Sequence, residues 1–115
     1  MTTIEALQKI DAEGIEARVN RAGKVRLSAE PSDPEILTYL RSNRDTVRAV
    51  VEYLMLVRSA ETEAGRIDSE GVTADPTRFE NLLDRIAGKE RELRAVGVST
   101  EEIEALVLRE VHRVR

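Results

Sequence analysis

The sequence predicts an α+β protein in which a helix, a β-hairpin and two further helices (αββαα) are followed by an α-helical hairpin. Three observations lead there. Through most of the chain, apolar residues recur every three to four positions, the spacing that gathers them on one helix face. Strict apolar–polar alternation is confined to residues 15–28 and is interrupted once, at Arg21-Ala22-Gly23. Asp-Pro steps and Ser/Thr residues followed three positions later by an acidic residue stand where helices should begin.

The first helix opens at Thr2, whose hydroxyl can accept from a first-turn amide while Glu5 reaches back. Ile4, Leu7 and Ile10 share its inner face, and Gly14 supplies the left-handed residue that closes it. Ile15-Glu16-Ala17-Arg18-Val19-Asn20 and Lys24-Val25-Arg26-Leu27-Ser28 are the strands. Burying Ile15, Ala17, Val19, Val25 and Leu27 sends Glu16, Arg18, Lys24 and Arg26 outward and leaves Arg21 at the tip. Asp33-Pro34-Glu35 starts a helix that turns Ile36, Leu37 and Leu40 inward. Ser42-Asn43-Arg44-Asp45 interrupts it with a second capping-box spacing, and Val47, Val50, Val51, Leu54 and Met55 mark a longer helix to about residue 58 or beyond. Asp75-Pro76 repeats the start signal for a helix striped by Phe79, Leu82, Leu83, Ile86, Leu93 and Val96 and ended by Gly97. Ser99-Thr100-Glu101-Glu102 caps the last helix, with Val98 and Ile103 placed as a hydrophobic staple. Ile103, Leu106, Val107, Val111 and Val114 stripe it, and Leu108 lies off the stripe, where it could face a partner helix.

Residues 59–75 are acidic, rich in small side chains and nearly without apolar periodicity, the pattern of a frayed helix end followed by a solvated linker. The expected organisation is therefore a domain over 1–58, a linker over 59–75 and a helical hairpin over 76–115. Nine basic residues balance nine acidic ones in 1–58, whereas nine face thirteen in 59–115, so the net charge of -4 sits in the second half.

Composition removes several chemistries. There is no cysteine, and the only histidine is His112, so thiolate chemistry, a histidine-based zinc site and a catalytic triad lack their parts. His112 reads as a residue favourable to a helix C-terminal dipole. The carboxylates fall in the expected linker or on polar faces, and no calcium-loop or phosphate-loop spacing occurs. No catalytic residue, metal ligand or cofactor site is expected. Without a membrane-length apolar run or an export-type start, the expected setting is the cytoplasm.

The order helix, hairpin, helix, helix, together with Ile10-Asp11-Ala12-Glu13-Gly14-Ile15-Glu16, Pro34-Glu35-Ile36-Leu37 and Leu40-Arg41-Ser42-Asn43-Arg44, resembles the TubC-type N-terminal docking domain of nonribosomal peptide synthetase and polyketide synthase subunits. The resemblance covers about residues 3–57. It implies a small, often dimeric fold in which an exposed hairpin strand pairs with the C-terminal tail of an upstream subunit and charged side chains select the partner. The recognition strand would be Lys24-Val25-Arg26-Leu27-Ser28; Arg18 stands where these domains frequently carry an aromatic residue.

The function expected from residues and resemblance together is a non-catalytic docking or adaptor module, a homodimer, that captures an acidic linear peptide on the hairpin edge. Its partner-binding residues would be Arg18, Arg21, Lys24, Arg26 and Ser28. An uncovered edge offers main-chain hydrogen bonds to any extended chain, and clustered cations select an acidic one. The same charges also suit an edge that is merely kept soluble. An alternative is a small mobile-element protein that binds or inhibits a nucleic-acid-processing complex, as an anti-CRISPR or replication accessory would, using the acidic second half or the arginine face formed with Arg41, Arg44 and Arg48. Direct single-strand binding lacks stacking platforms, because the three aromatic residues Tyr39, Tyr53 and Phe79 all fall on expected helices. Residues 76–114 match a helix-turn-helix outline, but Glu101, Glu102 and Glu104 would meet the phosphates.

Overall fold

The structure, a computed structural model, describes residues 1–71 and 75–114, and for Thr100 and residues 110–114 it describes the backbone alone. Residues 72–74 of the expected linker, the Val111 and Val114 positions of the expected stripe and the His112 side chain lie outside the described residues and side chains. The elements run α1 (Thr3–Ala12), β1 (Ala17–Val19), β2 (Val25–Leu27), α2 (Pro34–Ser42), α3 (Arg44–Glu70), α4 (Thr77–Ala95) and α5 (Thr100–Val114). This is the α+β order read from the sequence. The chain divides into two compact units, Met1–Glu52 and Tyr53–Arg115, so α3 contributes to both.

In the first unit, Thr2 Oγ1 accepts from the Glu5 amide at 3.1 Å and starts α1. The helix closes with the Gly14 amide donating to the Asp11 carbonyl at 2.9 Å and the Ile15 amide to the Ile10 carbonyl at 3.0 Å. Gly14 sits at a φ of +76°, where a side chain would be strained, and Ile10 and Ile15 on either side of the stop are both buried. Asp33 Oδ1 receives the Glu35 amide at 2.9 Å, with Pro34 in the first turn of α2. A 2.9 Å hydrogen bond between Thr3 Oγ1 and Tyr39 Oη links α1 to α2. The break between α2 and α3 is made at Asn43, one residue beyond the Ser42 that would head a capping box. Its side-chain amide and its backbone amide both donate to the Tyr39 carbonyl, at 2.9 and 3.0 Å. Ile4, Leu7, Ile10, Ile15, Ile36, Leu40, Val47, Val50 and Val51 form the apolar centre.

The hairpin is a two-stranded antiparallel sheet with Ala17 opposite Leu27, Arg18 opposite Arg26 and Val19 opposite Val25. Of the face expected to be buried, only Ile15 is so; Ala17, Val19, Val25 and Leu27 are half-buried. A ribbon of two short strands has no neighbouring strand to flank its side chains, so the helices can shield that face only in part.

In the second unit, much of the expected linker is helical. Residues 59–70 continue α3. Their acidic composition concealed a buried anchor: Ala60 and Glu63 are 6% and 7% exposed, and Glu63 is neutralised by Arg66 at 2.8 Å and by Arg78 of α4 at 3.6 Å. Arg66 also holds Glu70 at 2.8 Å and donates to the Asp75 carbonyl at 3.0 Å. A carboxylate removed from water must be paired, and these arginines do that, so the segment is ordered instead of solvated. Further along α3, Tyr53 is fully buried and its hydroxyl donates to Glu90 of α4 at 3.3 Å; burial, and secondarily the Glu90 carboxylate, holds the phenol well above its ordinary pKa. The stripe of α4 is narrower than its sequence suggests. Leu82 and Leu93 are buried, but Leu83 and Val96 are 46% and 49% exposed. The turn into α5 repeats the α1 stop, with the Val98 amide on the Leu93 carbonyl at 2.9 Å. Ser99 and Glu102 then form a full capping box, and Val98 and Ile103 are both buried as a staple requires.

Asp75 Oδ1 takes the Thr77 hydroxyl at 2.7 Å and the Thr77 amide at 3.0 Å, and these bonds, the hydroxyl first, hold its carboxyl below the ordinary 3.8. A depressed carboxylate pKa contributes stability above the unfolded value and loses it as pH falls through the folded one, here below about pH 4. A carboxyl-carbon NMR titration should place the Asp75 midpoint below 3.8, and Thr77→Ala should move it upward. A midpoint indifferent to Thr77→Ala would contradict the assignment of cause.

Candidate functional site

The hairpin loop is built by one side chain. Asn20 Oδ1 accepts from the amides of Ala22 and Lys24, both at 3.0 Å, while the Asn20 amide donates to the Lys24 carbonyl at 2.9 Å. Gly23, at a φ of +78°, completes a tight loop of the kind that ends with a left-handed residue. Arg21 is exposed at its tip.

Ladder geometry decides which main-chain groups face outward. The Ser28 amide donates to the Glu16 carbonyl at 2.9 Å and the Asn20 amide to the Lys24 carbonyl, so the bonded pairs are 16 with 28, 18 with 26 and 20 with 24. The amides and carbonyls of Ala17, Val25 and Leu27 therefore point away from the opposite strand. With only two strands in the sheet, β2 is an edge, and the Val25 and Leu27 main-chain groups line its rim.

The same register sets Arg18 directly opposite Arg26 on the exposed face, with Lys24 two residues away and on the same side. Arg18 is partly neutralised, its Nε and Nη2 lying 3.0 and 2.9 Å from Glu16 Oε1. The side chains of Arg21, Lys24 and Arg26 have no ion-pair partner among the described residues. Ser28 closes the ladder: its hydroxyl accepts from the Glu16 amide at 2.8 Å, so it serves the hairpin's own geometry first. A further cation joins the group. A methyl group at Gly23 would lie 3.7 Å from Arg48 Nη1, so Arg48 of α3 reaches the hairpin turn, with Glu52 at 3.3 Å from its Nε. Arg41 and Arg44 are exposed.

The five residues singled out in the sequence thus sit on one ribbon, with Arg18, Lys24 and Arg26 on one face, Arg21 at the tip and Ser28 at the far end. Sequence reading overlooked Asn20, whose Asn-x-x-Gly spacing around the loop was the available signal, and placed Arg48 only on a neighbouring helix. Among the described residues no cluster of acidic or histidine side chains could hold a metal ion. No described helix is long and apolar enough to cross a membrane. The chain matches no protein family, and neither a curated protein nor a solved structure is significantly similar to it.

Like charges directly opposed across a strand pair destabilise it, and an opposite-charge pair contributes roughly 0.2–1 kcal/mol. Arg26→Glu should therefore stabilise the first unit by about 0.5 kcal/mol in thermal or urea unfolding, with the gain shrinking at high salt. Equal or lower stability of the variant would mean that the arginines do not oppose one another.

Proposed function

We propose that the protein is a non-catalytic docking module that captures an acidic, extended peptide segment as a third strand on the rim of β2. The observation that carries this reading is the coincidence, along β2 and the residue before it, of outward main-chain groups at Val25 and Leu27 with the cations Lys24 and Arg26, which have no ion-pair partner among the described residues. The rim binds without regard to sequence; the charges select. Side chains on adjacent strands share a face at matching positions, so the alternation of β2 dictates the ligand. Residues beside Lys24 and Arg26 would be acidic, and those beside the half-buried Val25 and Leu27 apolar. A carboxylate beside Arg26 also relieves its opposition to Arg18, so binding offsets a strain that the free hairpin carries. Arg21 and Arg48 extend the cationic surface toward the turn. The resemblance to TubC-type docking domains over residues 3–57 agrees in the position of the recognition strand, and a cytoplasmic partner protein with an acidic tail is the kind of ligand it suggests.

Fluorescence anisotropy with a labelled peptide alternating glutamate and valine should show binding that weakens steadily as salt rises. Lys24→Glu/Arg26→Glu should weaken it by about tenfold or more while leaving the circular dichroism spectrum intact. Unchanged affinity in that variant would contradict the reading. Tighter binding of a nucleic acid of equal charge would favour the alternative of a nucleic-acid-directed protein.

A further inference from the structure

The rim of β2 is charged differently at its two ends. At the turn end stand Arg21 and Lys24, and Arg48 of α3 reaches the loop, its Nη1 3.7 Å from where a methyl group on Gly23 would lie. Arg44, one helical turn before Arg48 on the same face of α3, is exposed and has no ion-pair partner among the described residues. At the other end the chain passes through Ser28 and Ala29 into Glu30, which is exposed, and the exposed Glu13 accepts from the Ser32 amide at 3.0 Å. We propose that the captured segment carries a second, consecutive acidic run just beyond its paired strand, on its C-terminal side, and that Arg44 and Arg48 hold that run. This rests on the capture of an acidic strand by β2 and specifies what that strand is joined to.

Arg44 does not serve the helix that carries it. It opens α3 at the positive end of the helix dipole, where a cation is unfavourable, and it repels Arg48 four residues on. Arg48 lies 3.3 Å by its Nε from Glu52, but with 47% of its side chain exposed that pair is weak, and a guanidinium has donors enough for a second carboxylate. An anion shared by the two arginines offsets both penalties. The direction of the ligand follows from the ladder. Antiparallel pairing is the more stable kind per residue, and it lets Val25 and Leu27 each exchange both main-chain hydrogen bonds with a ligand residue. Because β2 runs away from the turn, such a ligand runs toward it, and the residues after its last paired position pass the loop. Strand pairing stops there, since the Gly23 amide is bonded to the Asn20 carbonyl at 3.0 Å and the backbone turns at a φ of +78°. Alternation is therefore no longer required of the ligand, and consecutive acids suit the arginines. The same run at the ligand's other end would lie toward Glu30 and be repelled.

The test compares three labelled peptides by fluorescence anisotropy: the alternating glutamate–valine core, the core with a short glutamate run on its C-terminal side, and the core with the same run on its N-terminal side. The last two have equal charge, so only the position of the run differs. The C-terminal run should tighten binding about fivefold or more over the core, and the N-terminal run by less than roughly twofold. Within the variant Arg44→Gln/Arg48→Gln, the gain from the C-terminal run should fall below about twofold, with circular dichroism reporting on the fold. In the wild-type protein the Arg48 Nε–H resonance should shift on adding the C-terminal-run peptide and far less on adding the core. A core peptide that does not bind, or that ignores Lys24→Glu/Arg26→Glu, would remove peptide capture and this inference together. If the core binds and responds to those substitutions, this inference alone is overturned by equal gains from the two runs, by a larger gain from the N-terminal run, by a gain that survives Arg44→Gln/Arg48→Gln, or by an unmoved Arg48 resonance.

Discussion

The placement of Arg18 opposite Arg26 is the constraint from which the behaviour of the hairpin follows. Two short strands can adopt that register only because the rest of the first unit fixes it. Gly14 and the Ile10–Ile15 contact set where β1 begins, Asn20 and Gly23 set the loop, and Ser28 ties the far end back to Glu16. Isolated two-stranded hairpins are marginal in water, so a register that opposes like charges is tolerable only on a supported ribbon. Here the support comes from the apolar centre shared by α1, α2 and the start of α3.

The rim of β2 follows from that register as well. With residues 16, 18 and 20 bonded to 28, 26 and 24, the outward main-chain groups of Val25 fall between Lys24 and Arg26, and those of Leu27 between Arg26 and Ser28. The second unit contains nothing comparable among its described residues. Within it, Glu63, Arg66, Glu70 and Arg78 tie the end of α3 to the start of α4.

The elements most legible in the sequence are those set by local chemistry. Thr2, Asp33, Ser99 and Gly14 each act through bonds within a few residues, and every one caps or closes the helix its position implies. Alternation over residues 15–28 gave the strands and the outward direction of Arg18, Lys24 and Arg26 for the same reason. What composition hid depends on partners distant in sequence. Residues 59–70 look like a linker because their acids appear solvated, and only Arg78, fifteen positions beyond Glu63, completes the neutralisation that keeps this stretch helical and part-buried. The half-burial of Val19 and Leu27, and the reach of Arg48 to the loop, likewise depend on how much of a ribbon two helices can cover, a quantity that periodicity does not encode.

Amide hydrogen exchange at single-residue resolution, with and without the alternating glutamate–valine peptide, addresses the central claim most directly. The account predicts that bound peptide slows exchange at the outward amides of Val25 and Leu27 while Arg26, whose amide is already held by Arg18, changes little. Protection that spares Val25 and Leu27, or that falls on helices α4 and α5 instead, would contradict it.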